Sequence, residues 1–124
     1  VLIGELAHRT GVSPRLLRYY EEQRLLHPER GTNGYRTYGA DAPATVARIR
    51  ELLSTGMNTD TIRDLLPCAQ DDAPGVLPCS RSLDILDGQL GELDARIEQL
   101  LTQRALLTDQ RGATLARETA ADHS

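Results

Sequence analysis

The sequence has no phenylalanine, no tryptophan and no lysine, and holds only four tyrosines and two cysteines in 124 residues. Without the two largest apolar aromatics, its core has to be aliphatic, chiefly leucine. The missing lysine, with every cation an arginine, is read as codon composition of a GC-rich gene and carries little about function. No stretch approaches the roughly 18 apolar residues of a membrane span, and no charged start followed by an apolar run marks a signal peptide, so a cytoplasmic location is expected. Enzyme motifs are missing as well. His8, His27 and His123 are scattered, no H-E-x-x-H or G-x-S-x-G occurs, and no glycine-rich phosphate loop follows a strand. Glu21 and Glu22 pair carboxylates only by adjacency, which sends them in different helix directions, and they read as solvated surface and capping. The length leaves room for one domain and a long appended element, and none for a large substrate domain.

The formal charge of -4 argues against a nucleic-acid partner only until its distribution is read. In residues 1–50, eight arginines face five carboxylates; from Pro67 onward, five arginines face ten. An acidic second half conceals a basic first one.

Local signals divide the basic half into short helices. Ile3 to Arg9 reads as a first helix, and Thr10-Gly11-Val12 as a tight turn. Ser13 is placed to cap and Pro14 to occupy the first position of a second helix, which runs to about Glu22. Helix, glycine-bearing turn and Ser-Pro helix start make the sequence form of a helix-turn-helix. Leu25 and Leu26 close its small core. Asn33-Gly34, flanked by Arg30 and by Tyr35-Arg36-Thr37-Tyr38, predicts a β-hairpin wing. A further helix begins at Asp41, carries Val46, Ile49, Leu52 and Leu53 at helical spacing, and ends at Gly56. Asn58 or Thr59 caps a shorter one through Ile62, Leu65 and Leu66, stopped by Pro67.

The organisation expected is therefore a DNA-binding unit over 1–66, a linker loop over 67–79, a long helix over 80–111 and a flexible tail over 112–124. In the long helix Leu83, Leu86, Leu90, Leu93, Ile97 and Leu100 step by three and four in alternation, with Arg104 and Leu107 in the next two positions. Burying the six Leu and Ile side chains releases on the order of 10 kcal/mol gross per chain, before ordering and association are charged against it. A seam this long predicts a partner helix and a homodimer, with Leu107 included in the interface.

All four tyrosines lie between positions 19 and 38, interleaved with Arg15, Arg18, Arg24, Arg30 and Arg36. On the second helix, Leu16, Leu17 and Tyr20 are expected to face inward, leaving Arg15, Arg18 and Tyr19 outward. A guanidinium pairs bidentately with guanine or phosphate, and a phenol donates to phosphate, so that face suits a major groove. Tyr35, Arg36 and Tyr38 of the wing are expected beside it, toward flanking phosphates or the minor groove.

Ile3-Gly4-Glu5-Leu6-Ala7, Gly11-Val12-Ser13, Leu17-Arg18-Tyr19-Tyr20-Glu21, Leu25-Leu26-His27-Pro28 and Gly34-Tyr35-Arg36-Thr37-Tyr38, followed by the heptad helix, closely resemble the MerR family of transcription regulators. The resemblance implies a mainly α fold, a winged helix-turn-helix followed by a long dimerisation helix in an antiparallel coiled coil. It implies a homodimer on double-stranded promoter DNA, which it distorts so that RNA polymerase can use an over-long spacer. DNA contacts carry over onto Ser13, Arg15, Arg18, Tyr19, Arg36 and Tyr38. A small-molecule effector is the further class of partner implied. Metal-sensing members place a cysteine-rich loop after the dimerisation helix, where this chain offers only His123, so metal sensing of that kind is not expected and no cofactor is predicted, a metal ion at the two cysteines being the one alternative.

Cys68 and Cys79 bracket ten residues just before the long helix. Three readings stay open for them: inert side chains, a disulfide or thiol switch, and a metal site completed by Asp71, Asp72 or a second protomer. The function expected is a dimeric regulator of a pseudo-palindromic promoter site. Its alternatives are a thiol or metal sensor of the same family built on the two cysteines, and an architectural DNA-bending protein without an effector.

Overall fold

The computed structural model describes residues 1–30, 35–69 and 75–122, the side chain of Arg30 excepted. Its helices are α1 (Ile3–Thr10), α2 (Pro14–Glu22), α3 (Ala42–Ser54), α4 (Thr59–Leu65) and α5 (Ser82–Asp122). Strands β1 (Glu29–Arg30) and β2 (Arg36–Thr37) lie between α2 and α3, and a single 3₁₀ turn, Leu66–Cys68, follows α4. The chain divides into two compact units, Val1–Ile85 and Leu86–Ser124. Among the described residues no helix is long and apolar enough to cross a membrane.

The ends of α2 are set by local chemistry. Gly11 closes α1 at φ 71 and donates its N–H to the Ala7 carbonyl at 2.9 Å, a backbone state that disfavours any residue with a Cβ. Ser13 Oγ accepts the N–H of Leu16 at 3.1 Å, and Pro14 takes the first helical position, where a missing N–H is not felt. At the other end Leu25 N–H reaches the Tyr20 carbonyl at 2.9 Å and Arg24 N–H that of Glu21 at 3.0 Å. This paired closure puts Arg24 at φ 60 and brings the buried Leu25 back toward the buried Tyr20.

The first unit has one aliphatic core. Leu6 of α1, Leu17 and Tyr20 of α2, Val46 and Ile49 of α3, and Ile62 and Leu65 of α4 are all essentially buried. The three-residue steps from 17 to 20, 46 to 49 and 62 to 65 present one stripe per helix to that core. Leu16 departs from expectation: it is 40% exposed, because its neighbour Leu17 takes the inward direction and an α-helix turns about 100° per residue. Polar ties add to the packing. Arg63 Nε of α4 donates to the Gln23 carbonyl at 2.8 Å, and Thr59 Oγ1 to Gln23 Oε1 at 3.2 Å, fastening α4 to the exit of α2. Asn58 caps α4 by accepting the Thr61 N–H at 2.8 Å.

The strands pair antiparallel with Glu29 opposite Thr37 and Arg30 opposite Arg36. The expected Asn33-Gly34 turn lies outside the described residues.

Helix α5 corrects the expected boundaries. It starts at Ser82 and runs on past Arg111 to Asp122, so residues 112–122 are helical. Gly112 was the only breaker there, and an isolated glycine weakens a helix interior by only about 1 kcal/mol. The alanines around it favour the helix, while Thr114 and Thr119 return their hydroxyls to the carbonyls of Gln110 and Leu115. Along the seam, Leu83, Leu90, Ile97, Leu100 and Leu107 are 53–71% exposed in the single chain, and Leu86 and Leu93 are half-buried.

Candidate nucleic-acid interface

The outward face of α2 carries Ser13 at its cap, then Arg15, Arg18 and Tyr19, all exposed. Arg15, Arg18, Tyr19 and Glu22 border an open hollow of about 320 Å³. Positions 15, 18, 19 and 22 are one face of a 3.6-residue period. The burial of Leu17 and Tyr20 on the opposite side fixes which way that face looks.

The wing is aligned to this helix through one carboxylate. Glu21, whose side chain is only 14% exposed, accepts from Arg36 Nη1 through Oε2 and from the Tyr38 hydroxyl through Oε1 at 2.8 Å. Arg36 and Tyr38 are two residues apart, so in an extended strand both reach the same side. The Arg36 side chain stays half exposed, and a guanidinium offers five N–H donors, so the ion pair leaves donors for a second anion. Burial pushes the Tyr38 phenol up to about 12, helped by its hydrogen bond to the Glu21 carboxylate and by that charge. Arg36 and Arg18 pull the other way, so the helix cation and the wing cation flank the same phenol. Tyr20 is also raised by burial, with Arg50 opposing.

Two readings from sequence change here. Tyr38, expected as a DNA contact, is 3% exposed with its hydroxyl committed to Glu21, so it holds the wing from behind. Glu21, read as solvated surface, is the residue that joins wing to helix; only Glu22 is exposed. Arg36-x-Tyr38 places two donors on one strand face, but no residue near them in sequence marks Glu21 as the shared acceptor. The other wing tyrosine, Tyr35, is 65% exposed.

Cys68 and Cys79 are joined as a disulfide with their Cα atoms 6.1 Å apart. Both sulfurs are therefore committed to each other, and no group of three or more His, Cys, Asp or Glu stands together among the described residues. Among the described residues of one protomer no ligand set for a metal ion is assembled, and His123, Asp71 and Asp72 lie outside the described residues.

A winged helix-turn-helix with an arginine-rich outward helix defines a DNA-binding class of protein. Residues 2–68 match the model of the MerR HTH family regulatory protein, and residues 44–110 that described as MerR, DNA binding. An uncharacterised HTH-type transcriptional regulator of Pseudomonas aeruginosa is 37% identical over 109 residues, covering 86% of this chain and 80% of that one. The HTH-type transcriptional regulator ZntR of Escherichia coli is 36% identical over 106 residues, covering 84% and 74%. Among solved structures, the transcription regulator PbrR691 of Ralstonia metallidurans in complex with lead(II) shares the fold at TM-score 0.74 and 24% identity, over 90% of this chain and 85% of that chain. The chain belongs to the MerR family of helix-turn-helix transcription regulators.

Proposed function

We propose that the protein is a cytoplasmic transcription regulator that binds a pseudo-palindromic promoter site as a homodimer and acts by distorting the DNA for RNA polymerase. The observation that carries the reading is the arrangement of Arg15, Arg18 and Tyr19 on the exposed face of α2 beside Arg36 of the wing, held there by Glu21. Arg18 reads base edges, Arg15 and Arg36 contact phosphates, and Ser13 at the helix start and Tyr19 further along the same helix donate to the DNA backbone. The bare seam of α5 supports dimerisation, since an exposed apolar stripe of this length calls for a second helix. Two-fold symmetry then implies two half-sites with related sequences. No catalytic role is assigned to any residue.

A footprint of the protein on the DNA upstream of its own gene, with a probe sensitive to helix distortion, tests the proposal. Symmetric protection with enhanced cleavage at the centre supports it. Diffuse protection without symmetry replaces it with the architectural alternative, in which the same wing bends DNA without a promoter site.

A further inference from the structure

Cys68 and Cys79 take no part in the DNA face, yet they sit where the first unit hands over to α5. Cys68 ends the 3₁₀ turn and is 7% exposed, three residues after the fully buried Leu65 of α4. Cys79 is exposed and lies three residues before Ser82, the first residue of α5. Hydrogen bonds surround the covalent link. Leu77 N–H donates to the Cys68 carbonyl at 2.7 Å, and Ser82 N–H to the Cys79 carbonyl at 3.1 Å. The Ser82 hydroxyl, itself buried, is shared between the Leu77 and Cys79 carbonyls at 2.9 and 3.1 Å.

We infer that this disulfide is a reversible redox element that governs how firmly the start of α5 is fastened to the end of α4, and so couples the oxidation state of the cell to the regulator's output. The inference rests on the DNA-binding regulator reading, because a protein working among cytosolic dithiols keeps a disulfide only when oxidant forms it. With the bond closed, the two anchor residues cannot separate. With it open, the ties between them among the described residues include hydrogen bonds that water can replace. The connection to the DNA face runs through α4, whose Arg63 and Thr59 are bonded to Gln23 at the exit of α2.

The chemistry balances as a two-electron exchange. A thiolate of a dithiol reductant attacks the exposed Cys79 sulfur, the S–S bond breaks, and Cys68 leaves as a thiolate that takes up a proton. The second thiol of the reductant then displaces Cys79 as a thiol and leaves the reductant as its own disulfide. In the reverse direction, peroxide converts the Cys79 thiolate to a sulfenic acid with release of hydroxide, and Cys68 condenses with it as water departs.

The test compares the parent protein after dithiothreitol with the same protein after hydrogen peroxide, with cysteine alkylation and mass measurement reading the thiols. DNA affinity and transcription are read on the footprinted promoter. The expected result is two alkylated cysteines after reduction and none after peroxide, with a difference of about fivefold or more in affinity or transcript between the two states. Cys79→Ser, at an exposed position, is expected to stay in the reduced behaviour and ignore peroxide, with its helical circular dichroism showing that it folds. Free thiols after peroxide, or a closed disulfide with unchanged affinity and transcript, overturns the inference without touching the regulator reading. Failure of both states to bind DNA overturns the regulator reading and the coupling with it, and alkylation then still decides whether the pair cycles.

Discussion

The Tyr38 hydroxyl donates to Glu21 Oε1 at 2.8 Å across sixteen intervening residues, while Arg36 pairs with the other oxygen of the same carboxylate. A wing of two short strands has little pairing energy of its own, so the Glu21 side chain helps fix it against α2, beside the backbone hydrogen bonds that pair Tyr38 with Val1 at 2.7 and 2.8 Å. A buried phenol and a mostly buried carboxylate satisfy each other, and Arg36 balances the charge that burial would otherwise make costly.

Glu21→Ala should therefore cost about 1–3 kcal/mol of stability, since it leaves the Tyr38 hydroxyl without its acceptor. Urea unfolding of Glu21→Ala, Tyr38→Phe and the double variant measures it. The double variant is expected to lose less than the sum of the singles; strict additivity would show that the two residues do not act as a pair.

Stability should also fall at alkaline pH through Tyr38. Its folded value is raised from 10.0 to about 12, so the unfolded chain loses this proton first as pH rises. The contribution is whole below pH 10, declines above it, and is gone beyond about 12; the shift corresponds to roughly 2–3 kcal/mol. Thermal melts at stepped pH should show a steeper alkaline decline in the parent than in Tyr38→Phe, and parallel declines would refute the assignment.

Arg18→Ala should weaken specific binding by about 1–3 kcal/mol and relax base preference at one position per half-site. Arg36→Ala should weaken binding evenly across sequences. Arg15 and Arg36 from two chains make about four phosphate contacts, for a log–log salt slope of about −3.6 in the parent that becomes shallower in Arg36→Ala. Titrations of cognate and scrambled DNA at several salt concentrations separate the two roles. An Arg18→Ala affinity equal to the parent's would remove it from base reading.

Ile97→Glu, in the middle of the α5 seam, should convert the proposed dimer to monomers, because a charge at a seam position that pairing would bury is desolvated without a partner. Sedimentation velocity reads the mass directly. A variant that stays dimeric would place the interface elsewhere than on Leu83, Leu86, Leu90, Leu93, Ile97, Leu100 and Leu107.

The sequence by itself determined the parts of this protein governed by neighbours in the chain. Ser13 and Pro14 start α2 because a hydroxyl cap and a missing N–H act within one turn, and Gly11 ends α1 because only glycine enters its backbone state freely. The three-residue steps of α3 and α4 likewise identified their inward faces. Tertiary structure decided what depends on residues far apart. Nothing within a few positions of Tyr38 says that its hydroxyl ends on Glu21, so its apparent place on a strand suggested an outward contact while packing turned it inward. Leu16 lost the inward direction to Leu17 because the core admits one stripe per helix. The two cysteines became a pair only when the 3₁₀ turn and the start of α5 brought their Cα atoms to 6.1 Å, a closeness that spacing permits and only the fold enforces.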